Sequence, residues 1–228
     1  MSRVAKEPAI VMHTRPYRET SLIAHLLTLR HGRVAAVVRG VRRTRRGHSV
    51  QPFNEMLVSW SGRGGLVTLT QFEATQSRWL TGNALAAAYY VTELVTRLTR
   101  EWEPLEQVFG GVGWVLEVLQ NGGDLEPALR QFEKHLLEEL GYGLDFNRDA
   151  SSAAPIDADG RYRLDAGAGF TASSSDAGYD GRVLLEIGKD CYDHRDTRNA
   201  AKRIFRAALR EHLGPKALLS RRLFKNGA

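Results

Sequence analysis

Leu22-Ile23-Ala24-His25-Leu26-Leu27 and Val34-Ala35-Ala36-Val37-Val38 are two continuous β-compatible runs, and the residues between them contain the turn signal His31-Gly32. Upstream, Ala9–His13 is a third short apolar run, followed by a polar, turn-like stretch from Thr14 to Thr20 that contains Pro16. Downstream, Gly40 to Pro52 is a long basic loop without hydrophobic periodicity. Two more strand candidates follow, Glu55–Trp60 and Leu66–Thr70, joined by Ser61-Gly62-Arg63-Gly64-Gly65. Five short strands with turns and no helix-length pattern suit a small closed barrel better than a flat sheet. The oligonucleotide-binding (OB) barrel is the five-stranded example; an SH3-like barrel would leave nearly the same signal.

From about residue 83 the period changes to that of helices. Leu85, Ala88, Tyr89, Thr92, Val95 and Leu98 form one stripe. Leu105, Val108, Phe109, Val112, Val115 and Leu119 form a second, weakened by Gly110, Gly111 and Gly113. Asp124 is a plausible N-cap for a third helix carrying Leu125, Leu129, Phe132, Leu136 and Leu140, with Gly141 as its stop. Residues 145–181 are rich in Ser, Ala, Asp and Gly and predict an irregular excursion with a short hairpin around Tyr162 and Phe170. A last helix runs from about Asp196 to Leu213, closed by Gly214 and Pro215. The expected fold is α+β: an N-terminal five-stranded OB barrel over 1–79, then an α-helical domain over 80–228.

The composition, 43% hydrophobic and 25% charged, is that of an ordinary globular protein. The single cysteine, Cys191, excludes an internal disulfide or a thiolate cage and fits a reducing cytoplasm. Met1 to Pro8 has no apolar core of a secretion signal, and no apolar run approaches a membrane span, so a cytoplasmic, nucleoid-associated protein is expected. The net charge of +6 conceals segregation. Residues 1–75 hold 12 Lys/Arg against 4 Asp/Glu, residues 76–194 hold 10 against 20, and residues 195–228 hold 10 against 2. Basic ends attract a phosphate backbone while the acidic middle stays off it.

The densest cluster is Arg39, Arg42, Arg43, Arg45 and Arg46, five arginines within eight residues. Charges so close repel one another and stay in solvent, and a polyanion relieves that repulsion with release of counterions. A merely solvated loop is the alternative. Arg15, Arg18 and Arg63, in other inter-strand connections, extend the same candidate surface. Tyr17 and Phe53 are the better candidates for base stacking, whereas Trp60 and Phe72 read as core. On the last helix Arg198, Lys202, Arg206 and Arg210 recur at i+4, followed by Lys216, Arg221, Arg222 and Lys225; a solvated amphipathic face is the alternative there. No Walker A, G-x-S-x-G, G-x-G-x-x-G or H-E-x-x-H motif occurs, and Cys191, Asp193 and His194 read as surface and capping residues. No catalytic residue, cofactor or metal is expected.

The block from Ala9 to Leu22, together with Gly32-Arg33, Arg39-Gly40-Val41-Arg42-Arg43 and Gln51-Pro52-Phe53, resembles the opening of the RecO family. Glu126 to Glu133, Leu140-Gly141-Tyr142-Gly143, and Leu213-Gly214-Pro215-Lys216 continue the likeness in order to Ser220-Arg221. The resemblance implies a non-enzymatic mediator of DNA repair and recombination that binds single- and double-stranded DNA and anneals complementary strands. It also implies action in the RecF pathway with the single-stranded-DNA-binding protein SSB, with RecR and, indirectly, with RecA. Many members carry four zinc-binding cysteines after the Leu-Gly-Tyr block; here Asn147, Arg148 and Asp149 stand where the first pair is expected, so the segment should be held by packing alone. Lys216, Arg221 and Arg222 are candidates for a second strand or for the helical domain's share of the first, and Arg130, Phe132 and Lys134 for the SSB tail. An RNA-binding OB module is the rival reading.

Overall fold

The computed structural model describes residues 3–41, 50–165, 167–175 and 178–226. Its first five strands are β1 (Arg3–Tyr17), β2 (Ser21–Thr28), β3 (Gly32–Val38), β4 (Glu55–Ser61) and β5 (Leu66–Gln76). They close into a barrel in the order β1-β2-β3-β5-β4, with β1 pairing β4 across the seam and β3 and β5 parallel. This is the five-stranded OB arrangement. Closure needs strands that bend, and the register shifts between Val11 and His13, between Val4 and Glu7, and at two points of the β4–β5 ladder.

Alternation fills the barrel. Val11 on β1, Ala24 and Leu26 on β2, Val34, Ala36 and Val38 on β3, and Met56, Val58 and Trp60 on β4 share one core, with Val67 and Leu69 from β5. Trp60, 1% exposed, meets His31 and Trp102 edge-on at 5.1 and 6.5 Å. Gly32 sits at φ +66, and a Cβ there would run into the Glu103 backbone, so the tight β2–β3 turn requires glycine. Three points differ from the sequence reading, the first being that β1 begins at Arg3 rather than at Ala9. Thr14 to Tyr17 continue β1 as strand, because Tyr17 still pairs with Ser21; only Arg18 to Thr20 turn. The run that starts at Leu66 extends through Gln76, pairing back to Glu55.

Helices α1 (Gly82–Leu98) and α2 (Glu106–Gln120) follow. Both belong to one compact unit formed by Met1–Gly123 with Leu218–Ala228, and Asp124–Ala217 form a second. The carboxylate of Glu93 on α1 explains the return of the C-terminus to the first unit. It accepts from Leu219 N (2.8 Å), Ser220 N (2.9 Å) and Ser220 Oγ (2.6 Å), capping a 3-10 helix over Ser220–Asn226.

The second unit holds α3 (Leu125–Glu139), strands β6 (Arg161–Asp165), β7 (Gly169–Ala172) and β8 (Tyr179–Asp180), then α4 (Gly181–Gly188) and α5 (Arg195–Leu213). Asp124 caps α3 through Glu126 N, and Gly214, at φ +67, ends α5. The hairpin around Tyr162 and Phe170 is present, with Leu164 opposite Phe170, whereas α4 was not foreseen. The segment between α3 and β6 is not held by packing alone. Phe146 packs on Phe170 and Phe205 at 5.2 and 5.9 Å, and Asp149 gathers the loop by accepting from Ser151 N, Ser151 Oγ, Ser152 N and Ala172 N at 2.6–2.9 Å.

Candidate nucleic-acid interface

The ladders decide which candidates share a place. Tyr17 pairs with Ser21, and Leu22 pairs with Val38, so the β1–β2 turn and the end of β3 lie at one rim of the barrel. Tyr17, Arg18 and Arg39 therefore come together there, with Arg15 two residues back along β1. Arg15, Arg18 and Arg39 are exposed and Tyr17 is half-buried. The Arg18 guanidinium lies over the Tyr17 ring, 5.2 Å from its centroid, and Arg18 holds the left-handed φ of +52 that the tight turn needs. Arg42, Arg43, Arg45 and Arg46 lie outside the described residues. Arg63 is exposed in the β4–β5 loop, and reaches the sheet by β5, whose Leu66 pairs with Ala35 midway along β3.

Phe53 offers no face to a base. It is 3% exposed, at φ +74, and packs edge-on against Tyr89 of α1 at 5.0 Å. The proline-containing loop looks open in sequence, but Phe53 N donates to Val11 O (2.6 Å) and Val11 N to Asn54 O (3.0 Å), drawing it into the barrel. Arg78 completes that lock. Its backbone N donates to Asn54 Oδ1 (2.9 Å), and its guanidinium donates to Phe53 O (3.0 Å), Glu55 Oε1 (2.6 Å) and Gln76 Oε1 (3.1 Å).

Arg130, Phe132 and Lys134 cannot receive a peptide, since all three are buried. Phe132, 2% exposed, is core. Arg130 pairs with the buried Glu133 at 2.9 Å. Lys134 Nζ donates to Ile187 O (3.3 Å), Gly188 O (2.7 Å) and Asp190 Oδ1 (3.0 Å), closing the C-terminal end of α4, where a cation is favoured. Lys134 reads as surface in sequence because an ion pair between two elements leaves no local trace. Lys216, Arg221 and Arg222 are exposed but divided: Lys216 belongs to the second unit, Arg221 and Arg222 to the first.

Sequence reasoning passed over Trp79, which is 88% exposed while its backbone N donates to Gln120 Oε1 at 3.1 Å. A bare indole on an anchored backbone is available for stacking; the neighbouring residues carry no signal that separates it from a core tryptophan. On the barrel wall His13 and His25 stack at 6.0 Å. Burial, and then the His13 and Arg15 charges, push the His25 pKa below the ordinary histidine value. Among the described residues no three His, Cys, Asp or Glu side chains group as a metal site, and no helix is long and apolar enough to cross a membrane. The rim offers exposed arginines beside one half-buried aromatic ring, Tyr17.

The family model described as "Recombination protein O N terminal" matches residues 1–78, and "Recombination protein O C terminal" matches residues 80–222. The DNA repair protein RecO of Methylococcus capsulatus is 42% identical over 100% of this chain and 96% of its own length. Those of Cellvibrio japonicus and Pseudomonas putida are 40% and 39% identical, each over 99% of both chains.

Proposed function

The chain belongs to the RecO family of DNA repair proteins, and from that premise we propose that it is a non-catalytic mediator that binds single- and double-stranded DNA and anneals complementary strands. The observation that carries this reading is the barrel rim, where the strand pairing brings Arg18 and Arg39 to the end of the barrel that holds Tyr17, with the Arg18 guanidinium over its ring. Two DNA strands repel each other; a protein that replaces condensed counterions on both lowers the free energy of their encounter. SSB, RecR and, indirectly, RecA are the partners that family membership suggests, and the RecF pathway is the setting.

Annealing of SSB-coated complementary oligonucleotides tests the proposal. The wild-type protein should accelerate annealing, and Arg18→Ala/Arg39→Ala should bind single strands with a log–log salt dependence shallower by about 1.4, two phosphate contacts' worth. Unchanged binding and annealing in that variant would remove the rim from the mechanism. A preference for RNA over matched DNA would favour an RNA-binding role instead.

A further inference from the structure

The second unit carries 14 Lys/Arg against 17 Asp/Glu, so a polyanion can bind it only where cations are locally concentrated. They are concentrated along one face of α5. A hollow of about 530 Å³ is bounded by Lys202, Arg203 and Arg206 on that helix, with Asp196 nearer its start, and by Arg161, Tyr179 and Asp180 on the sheet, four cations against two carboxylates. A second hollow of about 400 Å³ shares Tyr179 and Arg203 with it, and continues past Arg163 to Ser173 and Ser175. The two form one trough across the ring of Tyr179.

Its charges are poised for exchange. Arg161 pairs with Asp180 and Lys202 with Glu126, both at 3.3 Å and both between exposed groups, and such pairs contribute little. Among the described residues Arg206 has no ion pair, and Arg203 lies over the Tyr179 ring at 5.3 Å without a carboxylate partner. Asn199, Lys202, Arg203 and Arg206 line the trough over about 10 Å of helix, roughly three nucleotide steps at duplex spacing. The only aliphatic side chains in the larger hollow are Val183 and Ala200, too small a set to anchor an apolar peptide tip. An aromatic ring with arginine beside it, on a cationic rail, is the composition of a single-strand platform.

We infer that this trough is a second single-strand binding site, which holds one nucleic-acid strand through Arg203 and Arg206 beside Tyr179 while the barrel rim holds the other. The inference rests on the strand-annealing reading and assigns the second strand its place.

Annealing by the full-length protein tests it with Arg203→Glu/Arg206→Glu, and with Lys189→Glu as an exposed charge change away from the trough. The double variant should anneal roughly tenfold more slowly, with affinity for a single strand within about threefold of wild type, while Lys189→Glu should match wild type. If the double variant unfolds, Arg206→Glu alone should reproduce the loss in part, and a thiothymidine oligonucleotide should photocrosslink to Tyr179 in the unaltered protein. Wild-type annealing by these variants, or absence of the crosslink, overturns the second site and leaves the rim intact. Loss of binding to an acidic peptide with DNA annealing unchanged overturns it in favour of a protein partner. If the wild-type protein retains no oligonucleotide at all, the annealing reading itself falls.

Discussion

Arg78 and Arg39 are both arginines beside the barrel, yet they do opposite work. Arg78, 6% exposed, ties the loop at Phe53 to β4 and β5 by hydrogen bonds that no smaller side chain can replace. Its change to Ala strands buried acceptors and should cost about 3 kcal/mol in urea denaturation. Arg39→Ala, at an exposed position, should stay within about 0.5 kcal/mol of wild type by the same measurement while weakening DNA binding. A loss of stability from Arg39→Ala as large as that from Arg78→Ala would erase the distinction. Residue identity does not separate these two roles. Phe53 and Lys134 were misread for the same reason: their partners lie 36 to 56 residues away, Tyr89 for Phe53 and Gly188 and Asp190 for Lys134, whereas Arg130 pairs with Glu133 one turn on and Phe132 lies on the apolar stripe of α3.

At the scale of elements, periodicity was informative wherever one face is buried. The five strands were legible as short apolar runs and the stripes of α2, α3 and α5 as helical spacing, as were the Asp124 cap and the Gly214 stop, whereas the α1 stripe matched the buried face only at Ala88, Thr92 and Val95. The short α4 was not, because eight residues give too little pattern among the glycines and serines before it. The loop at Asp149 was illegible too, being organised by hydrogen bonds from one carboxylate. Those bonds, first from Ser151 Oγ and then from Ser152 N, hold the Asp149 pKa well below the usual carboxylate range. A depressed pKa contributes stability above the unfolded value, near 3.9, that is lost as pH falls through the folded one. Asp149→Ala should therefore be less stable than wild type at pH 7, and the difference should shrink as the pH of chemical denaturation is lowered from about 5 toward 2. A gap independent of pH would mean that the carboxylate is not what holds the loop. Glu93 follows the same sign: burial pushes its pKa up, but the bonds from Ser220 and Leu219 outweigh it and hold the group low, so the anchoring of the C-terminal 3-10 helix should weaken as the carboxylate is protonated in acid.

For the whole molecule, charge segregation in sequence becomes a division of labour in space. The basic first segment forms the barrel, Arg221 and Arg222 return to the same unit, and the cations of α5 gather in the otherwise acidic second unit. Binding to phosphate is the premise from which annealing follows, and the dependence of single-strand affinity on salt measures it most directly. With six backbone contacts, log Kd plotted against log salt should rise with a slope near 4. An affinity that does not change with salt would contradict a cationic DNA-binding surface on this protein.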